Sequence, residues 1–264
     1  MRHRVTIIAV LTAIQFAAAQ TQLTAIKCGK LVDGKSDAPM ENVIVLIEGN
    51  IIKDVGKNVQ IPSTAKVIDL SAATVLPGLI DAHVHVLLQG DITSEDYDVQ
   101  LLKQSIAYRA LRGALSCKTA LLNGFTTLRD MGTEGAMYAD VDLKKAINHG
   151  IIDGPRLFVG GRAINSTGHY PLANRDYTWE WKVPKGLIEI TGANEARRAV
   201  REELSNGTDW VKAYFDRSYY RLSDGSFRSL KNFTEEEAFA LGDETAMHHK
   251  KLSAHAVTPD GILP

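Results

Sequence analysis

Cysteine is scarce in this chain. Cys28 and Cys117 are the only two in 264 residues, which excludes a disulfide framework. Cys117 falls on the helical apolar stripe Leu102, Ile106, Ala110, Gly113, Cys117, Leu121, so a buried free thiol is expected. Cys28 sits in an early strand, and nothing in the sequence supports a bridge between the two. A charge excess is also missing: 30 basic against 31 acidic residues leave a net charge of −1, which argues against a nucleic-acid or polyanion partner. Internal repeats, low-complexity runs and Pro-rich linkers are absent. There is no G-x-G-x-x-G after a strand, no P-loop and no G-x-S-x-G elbow, so dinucleotide, phosphate-loop and serine-elbow chemistry have no foothold.

The one sustained apolar run lies at the start. Arg2, His3 and Arg4 form a basic segment, Val5 to Phe16 an apolar one, and Ala17-Ala18-Ala19 a small-residue cleavage site before Gln20. The run is shorter than the about 20 apolar residues of a membrane span. Met1 to Ala19 is therefore expected to be a signal peptide, an uncleaved anchor being the alternative. The mature protein would be secreted or periplasmic and hold no membrane segment. Asn165-Ser-Thr, Asn206-Gly-Thr and Asn232-Phe-Thr match the glycosylation sequon.

With 45% hydrophobic residues the chain can bury a sizeable core, in one domain or two. From Leu23 to about Leu76 short strands alternate with turns: Ile26–Val32, Val43–Ile47, Ile51–Val55 and Lys66–Leu70, punctuated by Asp33-Gly34 and Glu48-Gly49-Asn50. Residues 20–76 are expected to form a small β-sandwich domain. From Leu79 on, strands and helices alternate, the pattern of a parallel α/β architecture. Strands are expected at Leu79–Val86, Thr126–Met131, Arg156–Gly160, Trp210–Phe215 and Leu252–Ala256. Helices are expected at Asp98–Leu122, Val141–His149 and Glu195–Asn206, and from Thr234, where Glu237 completes a capping box. A long loop, Arg162–Ile190, carries Trp179 and Trp181. These are about five βα units of a (β/α)8 barrel spanning 77–264. The barrel needs eight strands and about 250 residues, so the chain is expected to be a fragment of it; a small doubly wound sheet is the alternative.

The chemistry concentrates in Pro77-Gly-Leu-Ile-Asp-Ala-His-Val-His85. Side chains alternate along a strand, so His83 and His85 share a face, and two imidazoles at the end of an apolar strand suit one divalent metal. Two polar residues on a half-exposed strand are the plainer reading. Lys212, in the apolar strand Trp210-Val-Lys-Ala-Tyr214, is costly to bury unless neutralised or paired. From the strand alone, a lysine paired with a carboxylate and a carbamate-forming lysine are equally open. His255 is a lone histidine on a short apolar strand.

The His-X-His strand and its sequel resemble the amidohydrolase superfamily of metal-dependent hydrolases, with the nearest likeness to imidazolonepropionase-like enzymes and Xaa-Pro dipeptidases. The resemblance runs from about Lys27 to the last residue. It implies a partial TIM-type barrel and one or two divalent metals, zinc first among them. It implies His83, His85 and His255 as metal ligands. Lys212 becomes a catalytic, carboxylated lysine that also binds metal. Hydrolysis of a C–N bond in a small-molecule or dipeptide substrate (a cyclic amide, an amidine or a dipeptide) by metal-activated water would follow. The family closes its site with a later histidine and an aspartate that no residue here matches, so the alternative is an inactive remnant that at most binds metal. His169 in the loop after the third barrel strand, Tyr214 and Arg162 are the substrate-binding candidates. Asp130 is a carboxylate placed to orient a ligand histidine. Oligomeric state is not legible.

Overall fold

The computed structural model describes residues 22–90, 96–169 and 184–262. The expected signal peptide Met1–Ala19 and the tryptophans Trp179 and Trp181 lie outside them. The chain divides into two units, Met1–Pro77 and Gly78–Pro264.

The first unit is one twisted sheet of β1 (Leu23–Leu31), β2 (Met40–Glu48), β3 (Ile51–Gly56) and β4 (Lys66–Val75), in the order β3-β2-β1-β4. The strand β2 runs antiparallel to β1, and β4 runs parallel to it. Cys28, Leu31, Val43 and Val45 form its core, joined by Ile26 and Val75. The register of β1 on β4 shifts between Cys28 and Lys30. Gly29 sits at that bulge because a Cβ there would lie 2.2 Å from the Ser71 carbonyl oxygen. A sandwich needs two sheets; the described residues supply one, and Ile51, Ile52 and Val67 stand exposed on it.

The second unit alternates strands and helices. Its strands are β5 (Leu79–Val84), β6 (Phe125–Asp130), β7 (Arg156–Phe158), β8 (Ala163–Ser166), β9 (Leu187–Ile190), β10 (Val211–Tyr214), β11 (Asp216–Arg221), β12 (Phe227–Lys231) and β13 (Leu252–His255). Its helices are α1 (Tyr97–Lys103), α2 (Ile106–Leu122), α3 (Ala139–Asn148), α4 (Ala193–Ser205), α5 (Glu235–Met247) and α6 (Pro259–Ile262). Parallel pairing gives β5-β6-β7 and β13-β10-β8-β9. The short step from β7 to β8 carries the chain from one sheet to the other. This is a parallel α/β arrangement of the barrel type, with barrel closure not formed among the described strands.

Three features depart from the sequence reading. The expected helix over 98–122 is two helices: Gln104 leaves the helical conformation, and Ser105 restarts it by accepting from the Tyr108 N–H. The expected loop Arg162–Ile190 contains β8 and β9, four residues each. The stretch after Phe215 folds as the antiparallel hairpin β11–β12. The capping box forms as expected, Thr234 and Glu237 each receiving the other's backbone N–H.

Alternation sorts the chemistry from the packing. Val211 and Ala213 of β10 join Ile164, Ile190, Val200 and Leu241 in the helix-side core. Lys212 and Tyr214 therefore face the other way. Val84 and Leu128 pack with Cys117 of α2 on the helix side, leaving His83 and Arg129 on the opposite face of β5 and β6. Cys28 and Cys117 are both free and buried.

Candidate active site

Four strands bring the candidate residues to one face. His83 and His85 close β5, their ring centroids 5.7 Å apart and edge to face. Lys212, 2% exposed, and Tyr214 lie on β10 beside Ser253 and His255 of β13 in parallel register. His83 titrates below the usual histidine range, first because burial penalises its charge, then because Lys212, His85 and Arg129 surround it with positive charge. Arg129 stacks 4.4 Å above the Trp210 ring and donates to Ser253 Oγ at 2.9 Å.

His85 is oriented by the loop after β6. Its Nδ1 lies 2.8 Å from the Gly132 carbonyl oxygen. A carbonyl only accepts, so Nδ1 carries the proton and Nε2 is the nitrogen with the lone pair. Gly132 is itself held, its N–H donating to Asp130 Oδ1 at 2.9 Å. Asp130 thus reaches His85 through one backbone residue and not directly. Burial, and then the charge of Asp140, hold the Asp130 carboxyl well above its ordinary range, against the Gly132 and Val86 N–H groups.

Two residues the sequence reading passed over lock this loop. Arg109 of α2 is buried and donates to three carbonyl oxygens: Leu87 through Nε at 2.9 Å, Glu134 through Nη1 at 2.8 Å and Thr133 through Nη2 at 2.9 Å. Glu134 adopts φ +47°, a left-handed conformation uncommon outside glycine. Its carboxylate accepts from Tyr97 at 2.7 Å and Tyr214 at 2.6 Å and lies 3.9 Å from His85 Nδ1. An arginine within an otherwise apolar helix stripe was the available signal for the first. The second, a loop glutamate, carried none.

Among the substrate-binding candidates, Tyr214 is 4% exposed and directs its hydroxyl to Glu134, so it braces the site. Arg162 is held in an ion cluster. Its guanidinium goes to Glu202, Glu203 and the Tyr138 hydroxyl, an ion cluster behind the β7–β8 step. Burial of Glu203 demands a partner, and Arg162 is it. His169 is exposed on the loop after β8, its carbonyl accepting from Asn165 Nδ2 at 3.1 Å, with Glu237 nearby. His248 and His249 are exposed at the end of α5.

His255 stacks against Tyr214 with centroids 5.2 Å apart, and its Nε2 meets the Tyr219 hydroxyl at 2.6 Å. Among the described residues no group of three or more His, Cys, Asp or Glu side chains is arranged to hold a cation. The structure therefore provides a pair, His83 and His85, and sets His255 apart from it on its own hydrogen bond. The donor types fit a divalent cation as half a site: two imidazoles, with the buried Lys212 ammonium adding positive charge at His83.

Comparison with known proteins follows from this geometry. Residues 74–263 match the amidohydrolase family. The chain is 28% identical over 264 residues to ochratoxinase from Aspergillus niger, covering 92% of this chain and 52% of the relative. It is 33% identical over 127 residues to 5-methylthioadenosine/S-adenosylhomocysteine deaminase from Pyrococcus furiosus, covering 41% of this chain and 29% of that protein. A crystal structure of a Xaa-Pro dipeptidase with methionine bound in its active site superposes with a TM-score of 0.77 at 29% identity, over 91% of this chain and 58% of that one. The chain spans about half the length of ochratoxinase.

Proposed function

We propose, for a chain that belongs to the amidohydrolase family, that this protein hydrolyses C–N bonds with a divalent metal held by His83 and His85. Lys212, as a carbamate, and His255 complete the ligand set in this reading. The observation that carries it is the placement of Lys212: an amine 2% exposed in a strand, near enough to His83 for its charge to be felt there. Its charge already depresses the His83 pKa. Once the ammonium has lost a proton to solvent, the neutral amine forms an N–C bond with carbon dioxide and releases a second proton, leaving a carbamate anion that turns a repulsive neighbour into a ligand. When bound, the cation supplies Lewis acidity that makes water a nucleophile near neutral pH.

The chain's own residues do the rest. The Gly132 carbonyl fixes His85 with Nε2 toward the ligand position. Glu134, clamped by Tyr97 and Tyr214, keeps the loop after β6 at the site's rim. Arg129 gives the inner face positive charge, which suits substrates carrying a carboxylate. The likeness to a Xaa-Pro dipeptidase supports a dipeptide among the cyclic amides, amidines and dipeptides that the reading allows. Secretion through Met1–Ala19 is part of the proposal, and N-terminal sequencing of the exported protein should begin at Gln20.

The test is hydrolysis of a panel of Xaa-Pro dipeptides, cyclic amides and amidines after loading with zinc and bicarbonate. Turnover that falls to background on chelation and in Lys212→Ala supports the reading. Turnover indifferent to both contradicts it. Zinc binding without turnover on any substrate would favour the inactive, metal-binding alternative.

A further inference from the structure

The hairpin β11–β12 belongs to no element read from the sequence, yet it supplies the contact that holds His255. Asp216, its first residue, is fully buried. Oδ2 accepts from the Thr258 N–H at 2.8 Å, the Thr258 hydroxyl at 3.0 Å, the Val257 N–H at 2.9 Å and the Ser229 hydroxyl at 3.3 Å. Oδ1 takes the Tyr219 hydroxyl at 3.2 Å. Burial pushes this carboxyl up, but the Thr258 and Val257 N–H groups and the hydroxyls more than offset it, so Asp216 stays ionised. The segment after β13 closes over it: a Cβ on Gly261 would come within 2.5 Å of Oδ2. Arg228 and the Ser229 N–H on β12 both reach Asp260, at 2.8 and 3.1 Å. The hairpin is thus strapped to the chain that immediately follows His255.

A direction follows for the hydrogen bonds. An ionised carboxylate only accepts, and two Asp216 oxygens, Oδ1 at 3.2 Å and the carbonyl at 3.4 Å, are placed to take the single Tyr219 proton. The Tyr219 oxygen then accepts from His255, whose Nε2 must carry a hydrogen. We propose that Asp216 and Tyr219 are positioning residues for His255, a carboxylate–tyrosine–histidine relay that fixes the imidazole as the Nε2–H tautomer and makes Nδ1 its unprotonated nitrogen. The role rests on the metal-hydrolase reading above. A cation at Nδ1 is compatible with the relay, whereas one at Nε2 has to displace Tyr219. Partners of this kind set ligand tautomer and basicity, and their loss typically costs about 10–100-fold in metal affinity.

The experiment compares the unaltered chain with Tyr219→Phe and with Tyr220→Phe, the neighbouring tyrosine. The first readout is the long-range nitrogen–proton spectrum of histidine-labelled, metal-free protein, with His255 assigned through His255→Gln. The relay predicts a protonated Nε2 and an unprotonated Nδ1 on His255. That signature should shift in Tyr219→Phe and hold in Tyr220→Phe. The second readout is zinc affinity, expected to fall about 10–100-fold in Tyr219→Phe alone. A protonated Nδ1 in the unaltered chain, or identical His255 signals and zinc affinity in Tyr219→Phe, overturns the relay. Absence of zinc binding in the unaltered chain refutes the metal reading instead, and the metal-free spectrum still decides the relay. Because that spectrum is read first on the unaltered chain, a folding defect in a variant leaves the proposal falsifiable.

Discussion

The Tyr214 hydroxyl donates to Glu134 Oε1 at 2.6 Å, joining the end of β10 to the loop after β6. Glu134 is held in a left-handed conformation, which costs energy unless the surroundings enforce it. Tyr214→Phe keeps the ring against His255 but leaves a largely buried carboxylate with one tyrosine donor fewer. A loss of about 1–3 kcal/mol in urea unfolding is expected. Unchanged stability would mean that Tyr97 and the backbone suffice to hold Glu134.

Arg109 carries the larger structural role. Its three hydrogen bonds tie the loops after β5 and β6 to α2. Arg109→Lys preserves the charge, but a lysine ammonium has no planar fork with which to span three carbonyls. We expect about 3–5 kcal/mol of destabilisation in Arg109→Ala and nearly as much in Arg109→Lys, measured by thermal or denaturant unfolding. A lysine variant as stable as the parent would show that charge alone matters there.

Stability should fall as the solution is made less acidic through neutrality. Burial raises Asp140 to about 6 and Glu203 to about 7, from ordinary values of 3.8 and 4.5. For a carboxyl whose folded pKa lies above its unfolded value, the folded state binds more protons between the two. Its contribution is fully present below the unfolded value and is lost as pH rises through the folded one. The fall attributable to this pair runs from about pH 4 to about pH 7. Asp216 and Glu237 are shifted down, so their contributions disappear only on acidification below their ordinary range. Glu203→Gln should flatten unfolding free energy against pH between 5 and 7; an unchanged slope would remove Glu203 from the account.

Of the three sequons, only one is available to a glycan. Asn165 and Asn232 are buried, Asn232 Nδ2 donating to Asn165 Oδ1 at 2.9 Å and to the Tyr214 carbonyl at 2.9 Å. Asn206 is exposed at the end of α4. Expression in a glycosylating secretory host should add at most one N-linked glycan to folded protein, removed by Asn206→Gln. A glycan found on Asn165 or Asn232 would contradict their packing.

The sequence exposed those parts whose physics is local. The Thr234–Glu237 capping box, the Asn123-Gly124 stop after α2 and the spacing of His83 and His85 all depend on near neighbours. The break at Ser105 was also local: a serine N-cap inside a long helical pattern. So was the Asp224-Gly225 turn between the aromatic strands β11 and β12, a recognised hairpin signal. The strands β8 and β9 are only four residues long and alternate too little to stand out. Arg109, Glu134 and Tyr219 act through partners 20 to 80 positions away, which no local pattern encodes. The ion partner of Arg162, Glu203, is likewise distant in sequence, 41 residues on.

The central claim is that His83 and His85 bind a metal, and metal content measures it most directly. Elemental analysis of the purified chain should find stoichiometric zinc, or a similar divalent metal, that vanishes in the His83→Ala/His85→Ala double variant while the fold persists. A folded parent with no metal, or metal retained by the double variant, would contradict the account.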